Sequence, residues 1–268
     1  MTDRVSLQID NGIADVRLDR PDKLNALDAA MFDALIATGE ALRERHDVRA
    51  VVLSGNGRSF CAGLDMGRFE GMASGSDSPA SLRLGPRSHG HCNVPQYAAM
   101  VWRAIPVPVI AAVHGAALGG GLQIALGADI RIAAPDAKLA LMEIRWGIVP
   151  DMGGTVVLRE LMPADRIREL AYSGRMVSGT EALALGLVTR CSDSPFEEAM
   201  ALARDIASRN PEAIRATKAL IASTFTVDES EQLLRESQAQ IAVLGRPNQI
   251  EAVQSQLQRR APRFVDPQ

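Results

Sequence analysis

Residues 107–123 read V-P-V-I-A-A-V-H-G-A-A-L-G-G-G-L-Q. The apolar run 107–113 has the length and content of a strand buried on both faces. It leads into Gly115, Gly119, Gly120 and Gly121, after which an apolar helical pattern begins over 122–126. Glycine lets the backbone adopt unusual dihedrals and lets a ligand reach main-chain N–H groups unobstructed. The first polar side chain after the glycines is an amide, Gln123.

The same design occurs once before. A short strand over 50–53 runs into S-G-N-G-R-S-F-C-A-G-L-D, residues 54–65. Two such turns on neighbouring strands can each aim one N–H at a single oxygen, the device that holds negative charge on a carbonyl oxygen. Taken singly, either turn reads first as close packing of helix on strand. Gly55-Asn56-Gly57-Arg58-Ser59-Phe60 begins like a dinucleotide fingerprint, but Phe60 replaces its third glycine, and no lysine-bearing phosphate loop is present.

Outward from these turns the chain alternates strand and helix. Val5, Leu7 and Ile9 and then Ile13, Val16 and Leu18 flank Asn11-Gly12, which predicts a hairpin. Asp28 is placed to cap a helix running to about residue 45. Residues 70–96 are polar, rich in Gly, Ser and Pro, and read as a loop with one helical turn. Short strands are expected over 130–133 and 138–141. Helical periods then occupy 155–172, 179–185, 195–209, 211–224, 228–243 and 247–259. This is an α/β core over 1–192 with a helical region over 193–268, whose amphipathic length suggests packing on the core or on another subunit.

Composition bounds the function. The chain has 268 residues, 47% of them apolar and 23% charged, with a net charge of −3. That balance lacks the basic surplus of a nucleic-acid binder. Cys61, Cys92 and Cys191 are few, odd in number and widely spaced, which argues against a disulfide framework or a zinc site. No signal-like segment or membrane-length apolar run occurs, so a cytoplasmic protein without a membrane partner is expected.

Candidate chemistry centres on acids. No G-x-S-x-G elbow is present. His46 reads as solvated, His114 as a backbone-orienting group, and His89 and His91 as members of the polar loop with Cys92. Cys61 reads as a small packed residue. Glu143 lies in L-A-L-M-E-I-R-W-G-I-V-P, where burial would raise its pKa toward that of a proton shuttle. A salt bridge to Arg145 is the alternative. Asp151 is a second acid or the cap of a helix from Gly153, and Asp65 a cap after the first turn.

Several stretches together resemble the enoyl-CoA hydratase/isomerase (crotonase) superfamily. They are R-P-D-K-L-N-A-L (20–27), S-F-C-A-G-L-D (59–65), P-V-I-A-A-V-H-G-A-A-L-G-G-G (108–121), A-D-I-R-I-A (128–133), M-E-I-R-W-G-I-V-P-D-M-G-G-T (142–155) and the segment 174–188. The resemblance implies a crotonase-like spiral of repeated ββα units with C-terminal helices that build a homotrimer or a dimer of trimers. It implies an acyl-CoA thioester substrate, with no metal and no cofactor beyond the coenzyme A of the substrate. By match to the family, Leu64 and Gly120 are the oxyanion donors, and Lys23, Asn25, Ala26 and Leu27 line the coenzyme A moiety.

Family hydratases carry two glutamates, and Gln123 stands where one of them would be. Glutamine does not exchange protons under ordinary conditions, although its amide oxygen could hold a water. One carboxylate matching Glu143 suffices in the 3,2-enoyl-CoA isomerases. The dienoyl-CoA isomerases pair it with an acid at the position of Asp151, but have an aspartate where this chain has Gln123. The expectation is therefore double-bond isomerisation with Glu143 and Asp151 moving protons. Hydration with Gln123 positioning water is the alternative, and a non-catalytic acyl-CoA binder the third reading.

Overall fold

The computed structural model describes residues 4–75 and 84–267. β1 (Val5–Asp10) and β2 (Ile13–Leu18) form the expected hairpin. Asn11 and Gly12 sit at φ 50° and 77°, the positive dihedrals that a two-residue turn matching strand twist requires. β3 (Ala50–Gly55), β4 (Val109–Val113), β6 (Ile130–Ala133) and β9 (Arg190–Cys191) continue the sheet in parallel, in the order β1-β2-β3-β4-β6-β9. A second sheet holds β5 (Ala116–Leu118), β7 (Lys138–Ala140) and β8 (Val177–Ser178).

The chain turns the corner between the sheets twice in the same way. β4 passes to β5 through His114 and Gly115, and β6 passes to β7 through residues 134–137. Gly115 has φ 60°, and a Cβ there would fall 2.0 Å from the Arg58 carbonyl oxygen, so no other residue fits that corner. Each pass adds one strand to each sheet and is followed by helix, which produces a spiral of ββα turns.

Side chains of the central strands alternate between two apolar layers. Val51, Leu53, Val109, Ala111 and Val113 face the larger core, with α1 (Ala29–Arg43) and α3 (Val94–Ala104) packed over it. Gly39 of α1 brings the two helices together, since a Cβ there would lie 2.5 Å from Val101 Cγ2. Ala50, Val52, Ile110, Ala112 and Ile132 face the other way and are covered by Ala199, Ala203 and Ala207 of α8 (Pro195–Ala207). The helix that opens the 193–268 region thus closes the core of its own chain. α9 (Pro211–Ser223), α10 (Glu229–Val243) and α11 (Pro247–Leu257) follow.

Several boundaries differ from those expected. The strand over 107–113 begins at Val109, and the helix expected from 122 begins at the glycines, as α4 (Gly120–Leu126). The segment 155–172 is two helices, α5 (Gly154–Leu161) and α6 (Ala164–Ser173), because Pro163 cannot continue α5 and disfavours helix in the residue before it. The loop over 70–96 is shorter than read. α2 (Met66–Ser74) occupies its start, and α3 begins within it on a capping box between Asn93 and Gln96. Residues 76–83 of that loop lie outside the described residues. α7 (Gly179–Leu185) matches its sequence pattern.

Candidate active site

Asn25 organises the first glycine turn. It is fully buried at φ 57°, a left-handed conformation that asparagine tolerates. Its Nδ2 donates to the carbonyl oxygens of Asn56, Ser59 and Phe60 at 3.0, 2.8 and 3.1 Å, and its Oδ1 accepts the Arg20 N–H at 2.8 Å. His114 Nε2 pairs with the Gly57 carbonyl at 3.0 Å, a backbone-holding contact. The Cys61 thiol donates to the Asn25 carbonyl at 3.0 Å, and burial pushes its pKa up to about 12, so it is a packed thiol and not a nucleophile.

The two turns are bonded side by side. Cys61 N–H donates to Ala116 O at 2.8 Å and Leu118 N–H to Cys61 O at 3.0 Å. Gly63, at φ 90°, lies so near that a Cβ would stand 2.6 Å from Leu118 O and 3.9 Å from Gly120 N. Leu27 N–H donates to Gly63 O at 2.8 Å and Asp65 N–H to Leu27 O at 3.1 Å. The Leu64 N–H between them takes no acceptor among the described residues, nor does the Gly120 N–H at the start of α4. Two unpaired main-chain donors therefore adjoin one another. Asp65 caps α2 through the Gly67 N–H at 2.9 Å and also pairs with Arg20.

Of the four residues matched to coenzyme A binding, only Lys23 exposes its side chain. Asn25 and Leu27 are fully buried and Ala26 nearly so. Asn25 is spent on the turn, and Leu27 packs under Gly120.

Glu143 lies beside the second turn, within electrostatic reach of Asp151. Glu143 opens a 3-10 turn (Glu143–Trp146) and is only 5% exposed. Its Oε1 accepts Gln123 Nε2 at 2.6 Å, while its Oε2 is buried with no partner. A Cβ on Gly119 would lie 3.5 Å from Glu143 Oε1, so the carboxylate sits directly beside the glycine turn. No Glu143–Arg145 salt bridge forms; Arg145 is exposed. Asp151, half-buried, does not cap α5 either, whose N-cap is Gly153 at φ 86° without a side-chain cap.

Burial holds the Glu143 carboxyl above its ordinary pKa; the Gln123 N–H opposes this and the nearby Asp151 charge adds to it. Burial raises Asp151 likewise. Gln123 is fully buried, and its Oε1 accepts both the Met152 N–H at 2.9 Å and the Gly154 N–H at 3.0 Å. Both lone pairs of that oxygen are thus in use, which corrects the expectation that it is available to hold a water.

Sequence reasoning missed two parts of this site. The Met152 and Gly154 amides carry no side-chain signal. Trp146 stacks on Phe69 of α2, ring centroids 4.0 Å apart and planes 15° from parallel, so one aromatic contact ties the turn bearing Glu143 to the helix after Leu64. A separate cavity of about 440 Å³, walled in part by Asp129, Lys218, Ile221 and Phe225, contains none of the residues above.

Unpaired N–H donors beside a carboxylate oxygen of raised pKa suit a carbonyl compound that loses a neighbouring proton. The spiral of ββα turns, with such a site at its paired glycine turns, defines the class of protein by its fold. The enoyl-CoA hydratase/isomerase family model matches residues 8–267, so the chain belongs to that family. The chain is 32% identical over 263 residues to a probable enoyl-CoA hydratase of Bacillus subtilis (strain 168), covering 97% of this chain and 98% of the relative. It is 34% identical over 263 residues to the human mitochondrial enoyl-CoA hydratase domain-containing protein 2, covering 96% and 86%. Among solved structures, the enoyl-CoA hydratase of Bacillus anthracis aligns with a TM-score of 0.88 at 31% identity, covering 97% of this chain and 98% of that one.

Proposed function

We propose that the chain is an enoyl- or dienoyl-CoA double-bond isomerase. The observation that carries this reading is the free carboxylate oxygen Glu143 Oε2, beside a glutamine whose own oxygen is fully engaged. The thioester oxygen accepts the Leu64 and Gly120 N–H groups, and Lys23 contacts the coenzyme A portion. Glu143 Oε2 takes a proton from the carbon next to the carbonyl, the electron pair moves into the enolate, and the N–H pair holds the charge. Glu143 returns the proton further along the chain, or Asp151 supplies one at the far end of a dienoyl group. No metal or further cofactor takes part in this scheme.

The alternative is water addition to a 2-enoyl-CoA, favoured by relatives whose names say hydratase. It requires a group other than the Gln123 oxygen to orient the water. Exposed apolar side chains along the C-terminal helices, among them Ile221, Leu233, Ile241 and Leu257, support assembly as a homotrimer or dimer of trimers.

The test is to offer purified protein 2-enoyl-, 3-enoyl- and 3,5-dienoyl-CoA and identify the products. The positional isomer as main product supports the reading. A hydroxyacyl-CoA as main product, or no product from any of the three, overturns it.

A further inference from the structure

Gln123 stands at a junction that neither proton transfer nor carbonyl binding uses directly. It is 1% exposed and lies on α4, three residues after the Gly120 N–H. One end of its amide accepts the Met152 and Gly154 N–H groups, and the other end donates to Glu143 Oε1 at 2.6 Å. Met152 is next in sequence to Asp151. A single buried side chain therefore joins the helix that presents one carbonyl donor, the turn that presents the base and the loop that presents the second acid. Gly154 permits this approach, since a Cβ there would lie 2.9 Å from Gln123 Oε1.

We infer that Gln123 is a positioning residue, which fixes Glu143 and the Asp151 loop as one rigid unit and leaves Glu143 Oε2 as the reacting oxygen. This rests on the proposed role of Glu143 as a base. The chemistry of the amide explains the residue. Glutamine accepts at one end and donates at the other, so it bonds two main-chain N–H groups and a carboxylate at once. A glutamate at 123 would keep the two N–H bonds but set a second carboxylate 2.6 Å from Glu143 Oε1, where one of the pair must hold a proton. Methionine would fill the space and leave both N–H groups and Oε1 unpaired. Gln123 also selects which oxygen reacts: Oε1 is tied down, and Oε2 keeps its lone pairs.

The experiment uses a saturated acyl-CoA, butanoyl-CoA, which can neither isomerise nor be hydrated. In D2O the C2–H bond breaks, its proton passes to Glu143 Oε2, its electron pair enters the enolate, and a deuteron from the exchanged carboxyl returns to C2. NMR follows the loss of the C2 proton signal for the wild type, Gln123→Met and Gln123→Glu, each as a function of pH. The wild type exchanges. Gln123→Met is expected to lose about 10- to 100-fold in kcat, with KM changed by less than about twofold, because misplacing the base and not weakening binding is the defect. Gln123→Glu is expected to move the acidic limb of the profile to higher pH. The charged neighbours acting on Glu143 would then be residue 123 and Asp151. Gln123→Glu also keeps both main-chain bonds, so it decides the matter should Gln123→Met fail to fold. Variants that exchange at the wild-type rate with an unmoved limb overturn the positioning role. A wild type that does not exchange C2 protons overturns the Glu143 base itself, a failure separate from the first.

Discussion

Glu143→Gln is expected to abolish most of the activity and at the same time stabilise the fold. The Glu143 carboxyl is buried, its Oε2 has no partner, and burial raises its pKa. An unfolded chain, with an ordinary carboxyl, releases that proton first as pH rises. Between the two pKa values the folded state binds more protons than the unfolded one, so stability falls with rising pH, and the whole penalty is present above the folded pKa. Leaving a buried polar group unpaired costs about 1–3 kcal/mol, and more if it is charged. Glutamine keeps the shape, can still accept the Gln123 N–H, and carries no charge beside Asp151. Its Nε2 would stand where Oε2 stands and lack a partner too, so the recovery near pH 8 is the cost of the charge alone, about 1.4 kcal/mol for each tenfold by which burial weakens the acid, or about 2–4 °C in Tm per kcal/mol for a chain of this size. Near pH 4 the wild-type carboxyl is protonated and the two melting curves should converge. Thermal melts of both proteins across this range are the assay. A variant no more stable than wild type near pH 8 would refute the view that Oε2 is an uncompensated buried charge. Activity should fall by about 10²–10⁴, the range for removal of a general base.

Three further outcomes follow from the same geometry. Gly120→Ala places a Cβ 2.8 Å from Leu27 Cδ1 and Met152 Sδ; overpacking of about 1–3 kcal/mol and a drop in kcat of about 10²–10³ are expected, read by melting and by turnover. Asn25→Ala removes the bonds that hold the first turn; denaturant unfolding should show a loss of roughly 2–4 kcal/mol, and a loss below about 0.5 kcal/mol would mean the staple is dispensable. Trp146 is exposed at the rim of the site while Trp102 is fully buried; acyl-CoA binding should shift the Trp146 emission, Trp146→Phe should remove the response, and an unchanged spectrum would count against the placement of the acyl group.

What the sequence revealed and what it hid have physical reasons. The hairpin, β3, β4, β6 and the C-terminal helices carry enough residues for their periodicity to show. β5, β8 and β9 have three, two and two residues, too few for any pattern; pairing with distant strands creates them. Helical periodicity over 155–172 runs across Pro163 and conceals the break that the proline imposes. Glu143 and the two glycine turns were legible because an acid among apolar residues and glycines after a strand are each unusual. The turn-holding role of Asn25 left no sequence pattern because its partners lie up to 35 residues away. The role of Gln123 was hidden most deeply, since two of its partners are main-chain amides 29 and 31 residues on, invisible to any side-chain pattern.

The most direct test of the central claim is to run the reaction of 3-enoyl-CoA in D2O enriched in ¹⁸O and analyse the product by mass spectrometry. Proton transfer through Glu143 Oε2 predicts 2-enoyl-CoA without ¹⁸O, with deuterium only in the fraction whose Glu143 carboxyl exchanges with solvent before it returns the proton. A hydroxyacyl product with ¹⁸O as the principal species would contradict it.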